Sequence, residues 1–537
     1  MSAESAAATE TSPAPRARGM GAVLVASGIL LSRILGVVRE SLKARFLGAT
    51  AGVAADAFNA AFRIPNLLQN LFGEGSLSAS FIPVYANLLA RGDKDEARRV
   101  AGAVAGLLGL VTAIIVLVGV LFTPALLFAI APGFTGEKRE LTIVLTRILF
   151  PGAGLFVLSA WCLGILNSHR RFFLSYAAPV VWNLAMIGAL LLARHEPSLN
   201  QIAIQLAWAS VVGAALQFAV QLPAVLRLVP QLRVTFDRSR ESVRTVTRNF
   251  VPVFVSRGVV QISAYIDQFL ASFLPTGMVS LIFYAQTIYT LPVSLFGMSV
   301  AAAELPEMAS AIGTDEETAR HLRARLEAGL RHIAFFVVPS AVAFLMLGDV
   351  IAAALFQHGR FTPVDTLFTW GILAGSAVGL LASTMGRLYS SAYYALRDTR
   401  TPLRFALIRV VLTTVLGYLF AIPLPRALGI DPRWGAAGLT ASAGIAGWIE
   451  FGLLRSRMNA RVGKSGVAAR HVMTLWGAAL ASGLAAFGLK IAISGMHRVG
   501  VAVLALGAFG ALYLVLTVLL RVPEATALLR RARRAGR

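Results

Sequence analysis

The stretch from 100 to 130, VAGAVAGLLGLVTAIIVLVGVLFTPALLFAI, contains no charged residue. About 20 apolar residues suffice to cross a bilayer as a helix. Because backbone groups in lipid must be satisfied within the chain, and such runs are too long for barrel strands, the sequence predicts an all-α polytopic membrane protein. About fourteen such runs lie near 20–42, 54–89, 100–130, 141–166, 172–193, 202–226, 249–273, 278–303, 329–347, 366–394, 403–424, 435–455, 471–493 and 499–520.

The composition agrees with lipid as the main solvent of the chain. Of 537 residues, 57% are hydrophobic and 14% are charged, more apolar mass than one aqueous core can bury. In a soluble protein a net charge of +23 would indicate binding to nucleic acid. In a membrane protein it indicates basic cytoplasmic loops and attraction to anionic lipid head groups. We therefore expect anionic membrane lipids as partners and no nucleic acid. The single cysteine, Cys162, lies in an apolar run, and we expect neither a metal site nor a cofactor.

Basic residues are distributed unevenly between the two ends of the predicted spans. With a cytoplasmic N-terminus, roughly 32 fall in the tails and the even-numbered connections and roughly 9 in the odd ones. We therefore predict that both termini are cytoplasmic and that the chain lies in the bacterial inner membrane. Residues 1–19 are predicted to be a disordered cytoplasmic tail, 229–248 a basic cytoplasmic linker and 522–537 a basic cytoplasmic tail.

An internal repeat appears at a separation of about 225–230 residues. Ser32-Arg33 recurs as Ser256-Arg257, Pro65 recurs as Pro292, and the tripeptide Leu-Phe-Gly at 71–73 recurs at 295–297. Six spans return the chain to the same side, so the repeat predicts two parallel six-helix lobes, 20–228 and 249–457. Such repeats with a substrate path between them are typical of transporters. Helices 13 and 14, at 458–521, fall outside the repeat.

The second span carries a regular polar stripe. Steps of three and four residues place its members on one helix face, and a charged group at a helix centre costs at least about 2.5 kcal/mol. We interpret the stripe as lining water, and a structural polar seam between helices is the alternative. Gln69 lies beside the stripe and Pro65 can bend the helix. The members are Asp56, Asn59, Arg63, Asn66, Asn70 and Gly73.

Spans 1 and 7 carry further polar faces. In span 7, Arg257, Gln261 and Gln268 share a face beside Asp267. In span 1, Ser32, Gly36 and Arg39 share one face and Arg33 points elsewhere, so we predict a local break at Gly36 that lets both arginines reach one cavity. The combined prediction is a central cationic cavity, since arginine forks suit phosphate and carboxylate oxygens. We expect hinges at Gly36, Pro65, Gly73, Gly75 and Pro292.

Four segments resemble one transporter family. They are SRILGVVRE (32–40), ADAFNAAFRIPNLLQNLFGEGSLSASFIPVY (55–85), FYAQTIYTLPVSLFGMSVAAAELPEM (283–308) and RDTRTP (397–402). Together they resemble the MurJ (MviN) lipid II flippases of the MOP exporter superfamily. The resemblance implies export of lipid II, an undecaprenyl-pyrophosphate-linked peptidoglycan precursor, from the inner to the outer leaflet by alternating access. It also implies a lipid-tail groove formed by helices 13 and 14, and cell-wall synthesis proteins as possible further partners.

The resemblance assigns site residues one by one. The span 1 arginines of the family match Arg33 and Arg39, and its span 2 acid matches Asp56. The chain departs from the family pattern at Gln69 and at Thr287, after Gln286, where better-known members have arginines. We hypothesise that Arg257 restores a positive charge and that Arg63 assists. The predicted substrate-binding residues are Arg33, Arg39, Asp56, Arg63, Gln69, Arg257, Asp267 and Gln286, and the predicted cavity-lining residues are Ser32, Asn59, Asn66, Asn70, Gln261 and Gln268.

The sequence gives less information about the energy source of transport than about the substrate. Sodium needs gathered oxygen ligands, and span 11 offers Thr413 and Thr414 but no carboxylate. We therefore favour membrane potential or protons as the energy source, with sodium as the alternative.

Two other functions fit the sequence less well. One is a MOP-type exporter of another polyprenyl-linked glycan or anionic amphiphile, which only substrate assays separate from the first. The other is a membrane-embedded lipid-phosphate enzyme, which needs clustered acids or histidines. The seven histidines are scattered at loops and span ends, so we expect no enzyme.

Overall fold

The computed structural model describes the backbone of residues 15–72, 74–310 and 314–535, and their side chains apart from those of 15–26, 29, 64, 74–75, 78, 255–264, 315, 529 and 531–535. These described ranges are helical and contain no strand. A π-helix, Val293–Met298, joins α10 to α11. In chain order the α-helices are α1 (Pro15–Leu47), α2 (Ala54–Phe72), α3 (Glu74–Ala90), α4 (Lys94–Leu121), α5 (Thr123–Ile130), α6 (Gly136–Ser168), α7 (Phe172–Leu192), α8 (Leu199–Leu228), α9 (Glu241–Ala271), α10 (Met278–Pro292), α11 (Ser299–Ala309), α12 (Asp315–Phe356), α13 (Pro363–Ala395), α14 (Arg400–Ala421), α15 (Pro423–Ala427), α16 (Gly435–Val462), α17 (Ala469–Ala492), α18 (Arg498–Leu519) and α19 (Pro523–Ala535).

The helical membrane fold predicted from the sequence is confirmed. Within the described residues, eleven helical segments are long and apolar enough to cross a membrane by length and composition. The three remaining predicted runs are occupied by α1, by α2 with α3, and by α9. Helices α2 and α9 carry polar residues singled out above, which lower their mean hydropathy. The total of fourteen spans stays a prediction.

The helices pack as two groups. In the first, α6 packs against α2 and α8, and α7 packs against α1 and α8. In the second, α13 packs against α12 and α16, and α14 packs against α16. We call α1–α8 the first half and α10–α16 the second half. The helix between them, α9, packs mostly against α3 of the first half, and α17 and α18 pack on each other and on α12.

The two halves share a hydrophobic core at one end of the bundle. We call this the outer end, defined by residues 47–54, 272–277 and 357–362, and the opposite end, with 91–94, 229–240 and 396–399, the inner end. The buried core of the second half includes Ala44, Ala49, Leu127 and Phe134 of the first half. All four lie toward the outer end, so the halves are packed together there.

Several predicted boundaries differ from the structure. Helix α1 begins at Pro15, so 15–19 are helical rather than disordered, and residues 1–14 lie outside the described part. The predicted linker 229–248 is non-helical at 229–240, and its remainder forms the first turns of α9. The predicted tail 522–537 is helical over 523–535. Each difference lengthens a helix into polar sequence, where apolar periodicity gives no signal.

The five predicted hinges behave differently from one another. Helix α1 runs unbroken through Gly36, which is a correction to the predicted break there. Pro65 lies inside α2 without ending it, and Gly75 lies in α3. Gly73 lies outside the described residues, between the end of α2 and the start of α3. Pro292 ends the regular part of α10, and the π-helix follows it directly.

Candidate functional site

The polar stripe of α2 passes from a buried end to an exposed end. Asp56 and Asn59 are 0% and 2% exposed, at the outer end. Arg63, Asn66 and the neighbouring Gln69 are half-buried. Asn70, near the inner end, is exposed. The same face of α2 is therefore buried toward the outer end and accessible toward the inner end.

Asp56 caps a helix of the other half. Its Oδ2 accepts a hydrogen bond from the Gly277 backbone N–H at 2.8 Å, and its Oδ1 accepts from the Ser280 N–H at 2.9 Å and the Ser280 hydroxyl at 2.8 Å. Helix α10 begins at Met278, and its N-cap residue Gly277 has no side chain that could accept hydrogen bonds from the first N–H groups of the helix. Those groups carry partial positive charge and favour a carboxylate. Lys138 of α6 donates to the same carboxylate at 3.0 Å.

Glycines bring the two halves into backbone contact at the outer end. Gly277 has φ +97°, and a Cβ there would lie 2.5 Å from Thr50 Cγ2. Thr50 in turn donates to Asp365 at 2.6 Å, which belongs to the capping box of α13. A Cβ on Gly359 would lie 2.4 Å from the carbonyl oxygen of Arg45. Only glycine permits these contacts, so the packing of the two halves against each other at the outer end, which we call the outer seal, depends on them.

A continuous chain of polar groups, all buried except the half-buried Arg39, crosses the seal. We call it the outer polar chain: Arg39, Glu40, Lys43, Asn59, Ser280, Asp56 and Lys138. Successive distances are 2.6, 2.5, 2.8, 3.1, 2.8 and 3.0 Å. The charges alternate in sign along most of it, which compensates their burial. The chain joins α1, α2 and α6 of the first half to α10 of the second.

Arg33 and Arg39 of α1 point in different directions, as expected for an unbroken helix. Arg39 donates to Asn183 Oδ1 at 2.8 Å and lies 4.4 Å from the Trp182 ring centroid, both on α7. Arg33 is exposed and donates to Ser294 Oγ at 3.2 Å in the second half. The structure therefore does not bring Arg33 and Arg39 together. Ser32 is half-buried, and its carbonyl accepts from Asn183.

One face of α10 presents polar side chains beside Arg33. Gln286 and Thr290 are exposed, and Ser294 lies one further turn along. The spacing of four places all three on one helix face. The Arg33 to Ser294 hydrogen bond shows that this face is directed toward α1 at its inner part. Thr287, the second departure from the family pattern, is half-buried and donates to its own helix at Phe283.

A second group of charges lies between α2, α9, α14 and α16. Asp267 of α9 interacts electrostatically with Arg63 of α2 and with Arg409 of α14. Arg409 donates to Glu450 of α16 at 3.2 Å. The Tyr265 hydroxyl donates to the Arg63 carbonyl at 2.8 Å, so α9 and α2 are in contact here. The group connects the first half to the second through α9.

The predicted site residues fall into distinct sets. Arg33, Asn70 and Gln286 are exposed on the inner parts of their helices. Asp56, Asn59 and Arg39 belong to the outer polar chain, which corrects the expectation that they line one open cavity with Arg33. Gln268 is 4% exposed and likewise lines no open space. The side chains of Arg257 and Gln261 lie outside the described residues, so their predicted roles stay predictions.

Sequence reasoning missed both lysines of the outer polar chain. Lys43 is 3% exposed and Lys138 is 9% exposed. Both lie near span ends among other charges, where lysine is ordinarily solvated. Their hydrogen-bond partners, Asn59 and Asp56, lie 16 and 82 residues away. The only signal in the sequence was the acid of span 2, Asp56, because a carboxylate within a span needs a cation as its partner.

The exposed polar residues on the inner parts of α1, α2 and α10 suit anion binding, and the buried polar contacts at the outer end suit closure. Arg33 presents a guanidinium whose planar fork matches phosphate oxygens. Among the described residues, no group of three or more histidine, cysteine or acidic side chains could hold a metal ion.

Comparison with known proteins gives one family. A family model described as lipid II flippase MurJ matches residues 43–522. The lipid II flippase MurJ of Burkholderia cenocepacia is 32% identical over 440 residues, covering 81% of this chain and 82% of that protein. The probable lipid II flippase MurJ of Rhizobium tropici is 33% identical over 435 residues, covering 80% and 78%.

Solved structures agree on the fold. A lipid II flippase MurJ in an inward closed conformation superposes with a TM-score of 0.76 at 22% identity, covering 93% of this chain and 99% of that one. An inward-facing multidrug resistance MATE family transporter of the MOP superfamily superposes with a TM-score of 0.66 at 20% identity, covering 83% and 100%. At these identities the likeness shows the fold alone.

Proposed function

The chain belongs to the lipid II flippase MurJ family, and on that premise we propose that it moves lipid II from the inner to the outer leaflet of a bacterial cytoplasmic membrane. It is a multi-pass membrane protein of a transporter family, not an enzyme. The family match over residues 43–522 is the observation that carries the proposal. Peptidoglycan synthesis and cell-wall biogenesis then depend on it.

We propose that the head group binds at the inner part of the interface between the halves. Support comes from Arg33, Asn70 and Gln286, which are exposed on helices that otherwise cross lipid. Polar side chains at such positions are costly in hydrocarbon and usually face water. The pyrophosphate of lipid II supplies the oxygens that an arginine fork recognises. The undecaprenyl tail can stay in the bilayer, beside the groove that we propose for α17 and α18.

Alternating access then requires the outer seal to open. Release on the outer side must part Asp56 from the N-terminus of α10, since these belong to different halves. The outer polar chain keeps each buried charge paired while the seal is closed. In this proposal the phosphate oxygens of a bound head group compete with Ser294 Oγ for the Arg33 guanidinium and weaken the contact between α1 and the π-helix that follows α10.

The remaining parts of the proposal rest on sequence pattern. The distribution of basic residues supports cytoplasmic termini. Arg257 is proposed to supply the positive charge absent at Gln69 and Thr287, with Arg63 assisting. Membrane potential or protons are proposed to drive transport, because a charge moved through the field gains about 2.3 kcal/mol per 100 mV. Sodium is the alternative, and cell-wall synthesis proteins are proposed further partners.

The test is depletion of the resident flippase followed by a leaflet-accessibility assay for lipid II. Rescue by this chain restores outer-leaflet lipid II if the proposal is right. Cells that survive on the chain while lipid II stays in the inner leaflet would contradict it and favour another polyprenyl-linked or anionic substrate. In vesicles, transport that demanded sodium and ignored membrane potential would refute the proposed coupling.

A further inference from the structure

The connection between the halves lies against α4. The Thr235 backbone N–H donates to the Gly102 carbonyl at 3.3 Å. A Cβ on Gly102 would lie 2.0 Å from the Arg233 carbonyl oxygen, and one on Gly106 would lie 2.2 Å from the Thr235 carbonyl oxygen. The extended segment 229–240 is therefore docked on a glycine face of α4. A groove runs beside this contact, between α4, the segment and α9.

The groove has a basic part and an apolar part. The basic part has a volume of about 470 Å³ and is lined by Arg98, Arg99, Arg233, Asp237 and Arg240 among others. The apolar part has a volume of about 120 Å³ and is lined by leucines, valines and phenylalanines of α2, α3, α4 and α9, with Arg238 beside them. On α4, Ala103 belongs to the lining of the basic part and Val104 to that of the apolar part, and in the segment Asp237 and Arg238 divide in the same way, so the two linings neighbour each other along both elements. We call the whole the linker groove.

The basic part keeps an excess of positive charge after its own ion pairs are counted. Arg98 pairs with Asp95 at 2.6 Å, and Arg240 pairs with Glu96 at 3.0 Å. The side chains of Arg99, Arg233 and Arg238 form no ion pair in the described part of the chain. Asp237 is the one acid in the lining, and it accepts from the Ser239 N–H at 2.8 Å. Two guanidinium groups without an ion pair, those of Arg99 and Arg233, thus line the basic part with one carboxylate, and a third, that of Arg238, lies beside the apolar part.

The linker groove lies at the depth of the membrane surface. Arg99 is the last charged residue of α4, and no charge follows it through the end of that helix at Leu121. In the segment itself, Val234 and Phe236 are 62% and 60% exposed, next to Arg233 and Arg238. Exposed apolar side chains flanked by arginines at this depth are typical of a segment that contacts lipid.

We propose that the linker groove binds an anionic phospholipid of the inner leaflet. Its phosphate lies against Arg99, Arg233 and Arg238, and part of one acyl chain occupies the apolar part. A zwitterionic lipid leaves the excess positive charge uncompensated, and a free phosphate ester leaves the apolar part empty. This proposal does not rest on lipid II transport, because the groove lies on α4 and α9 and includes none of the residues proposed to bind the head group.

The test is native mass spectrometry of the purified full chain titrated with dioleoylphosphatidylglycerol, following the first lipid bound. Arg99→Ala with Arg238→Ala is expected to weaken binding about 25-fold, since each arginine near an anionic head group contributes about fivefold, or about 1 kcal/mol. Thr247→Trp, at an exposed rim position, is expected to weaken binding about 15-fold by displacing about two methylene groups of about 0.8 kcal/mol each.

The matched control removes the same charge from the inner end of the second half. Arg320→Ala with Arg400→Ala changes two exposed arginines and is expected to alter binding less than about twofold, because such distant charges are screened. Groove variants that bind the lipid as tightly as wild type would overturn the proposal. So would equal affinity for dioleoylphosphatidylcholine, which indicates an apolar site only, or displacement by glycerol phosphate at equal potency, which indicates a free phosphate-ester site.

Discussion

Asp56 of α2 holds Ser280 of α10 by two hydrogen bonds, one from the backbone N–H at 2.9 Å and one from the hydroxyl at 2.8 Å. The two residues belong to different halves, so one half caps a helix of the other. Parting the halves at the outer end leaves the first N–H groups of α10 without their acceptor. It also breaks the link through Ser280 to Asn59 and Lys43. Helix capping and closure of the outer end are therefore the same interaction.

Asp56→Asn is expected to weaken the outer seal. The amide keeps one acceptor oxygen but leaves Lys138 buried without its counter-ion, and breaking a buried pair in this way costs about 3–5 kcal/mol. We expect a lower thermal unfolding midpoint, together with faster labelling of Ala49→Cys by an impermeant maleimide added outside. The native Cys162 is buried and should stay unlabelled. Glu140→Gln, at a carboxylate 70% exposed on the same helix as Lys138, is the control and should change neither measurement.

Arg33→Ala is expected to reduce lipid II export about tenfold or more, since a charged hydrogen bond contributes about 1.5–3 kcal/mol. Arg33→Lys should recover only part of the rate, because lysine keeps the charge but not the fork. The measurement is outer-leaflet lipid II in depleted cells at matched expression. Arg147→Ala is the control, since Arg147 is also an exposed arginine within a span but bonds only a neighbouring carbonyl. Equal loss in both variants would show a general effect of removing charge.

Arg257→Ala tests the compensation hypothesis in the same cells. If Arg257 supplies the cation absent at Gln69 and Thr287, the variant should fail to rescue growth, and Arg257→Ala with Gln69→Arg should regain part of it. Rescue by the single variant equal to wild type would refute the hypothesis. Expression and membrane insertion are checked by immunoblot, so that a failure to fold is not counted as a failure to transport.

Gly277→Ala is expected to destabilise the closed outer end through two separate effects. A left-handed φ costs an alanine about 1–2 kcal/mol, and overpacking against Thr50 adds about 1–3 kcal/mol. Gly136→Ala isolates the first effect, since Gly136 has φ +53° with nothing within 4 Å of its Cβ position. Thr50→Ser removes the nearest clashing methyl and keeps a hydroxyl for Asp365, so it should restore part of the unfolding midpoint of Gly277→Ala. No restoration would mean that strain in φ accounts for the whole loss.

Gly102→Ala is expected to displace the segment 229–240 from α4. The new Cβ would lie 2.0 Å from a backbone oxygen, which cannot be relieved by a side-chain rotation. Trypsin cleavage after Arg233 and Arg238 in the detergent-solubilised protein should become several-fold faster, because local opening sets the rate of proteolysis. Gly109→Ala, whose nearest neighbour would be at 3.9 Å, should be cleaved like wild type. Unchanged cleavage in Gly102→Ala would show that the segment is not held by this contact.

The polar stripe of α2 shows what sequence periodicity predicts and what it does not. Steps of three and four placed Asp56 and Asn70 on one face, and the structure bears this out. Their environments are opposite, however, because Asp56 is buried against α10 and Asn70 is exposed. Periodicity describes one helix alone, whereas burial depends on which helix lies opposite.

Arg33 and Arg39 of α1 likewise show that side-chain partners depend on neighbouring helices. A helix advances about 100° per residue, so Arg33 and Arg39 diverge unless the helix breaks. The predicted break at Gly36 is absent. Arg39 instead reaches Asn183 and Trp182, on a helix more than a hundred residues later in the chain. Nothing in span 1 alone indicated that partner.

By itself the sequence determined the solvent, the helical class, most of the spans and the family, because hydropathy, chain length and local motifs are properties of continuous segments. The tertiary structure decided which polar residues close the outer end and which stay exposed. Lys43, Lys138 and Ser280 became part of the seal only when α1, α6 and α10 packed against α2. A buried charge is tolerated only where a partner of opposite charge or a suitable hydrogen-bond donor or acceptor lies within reach, and that distance is set by packing between helices far apart in the chain.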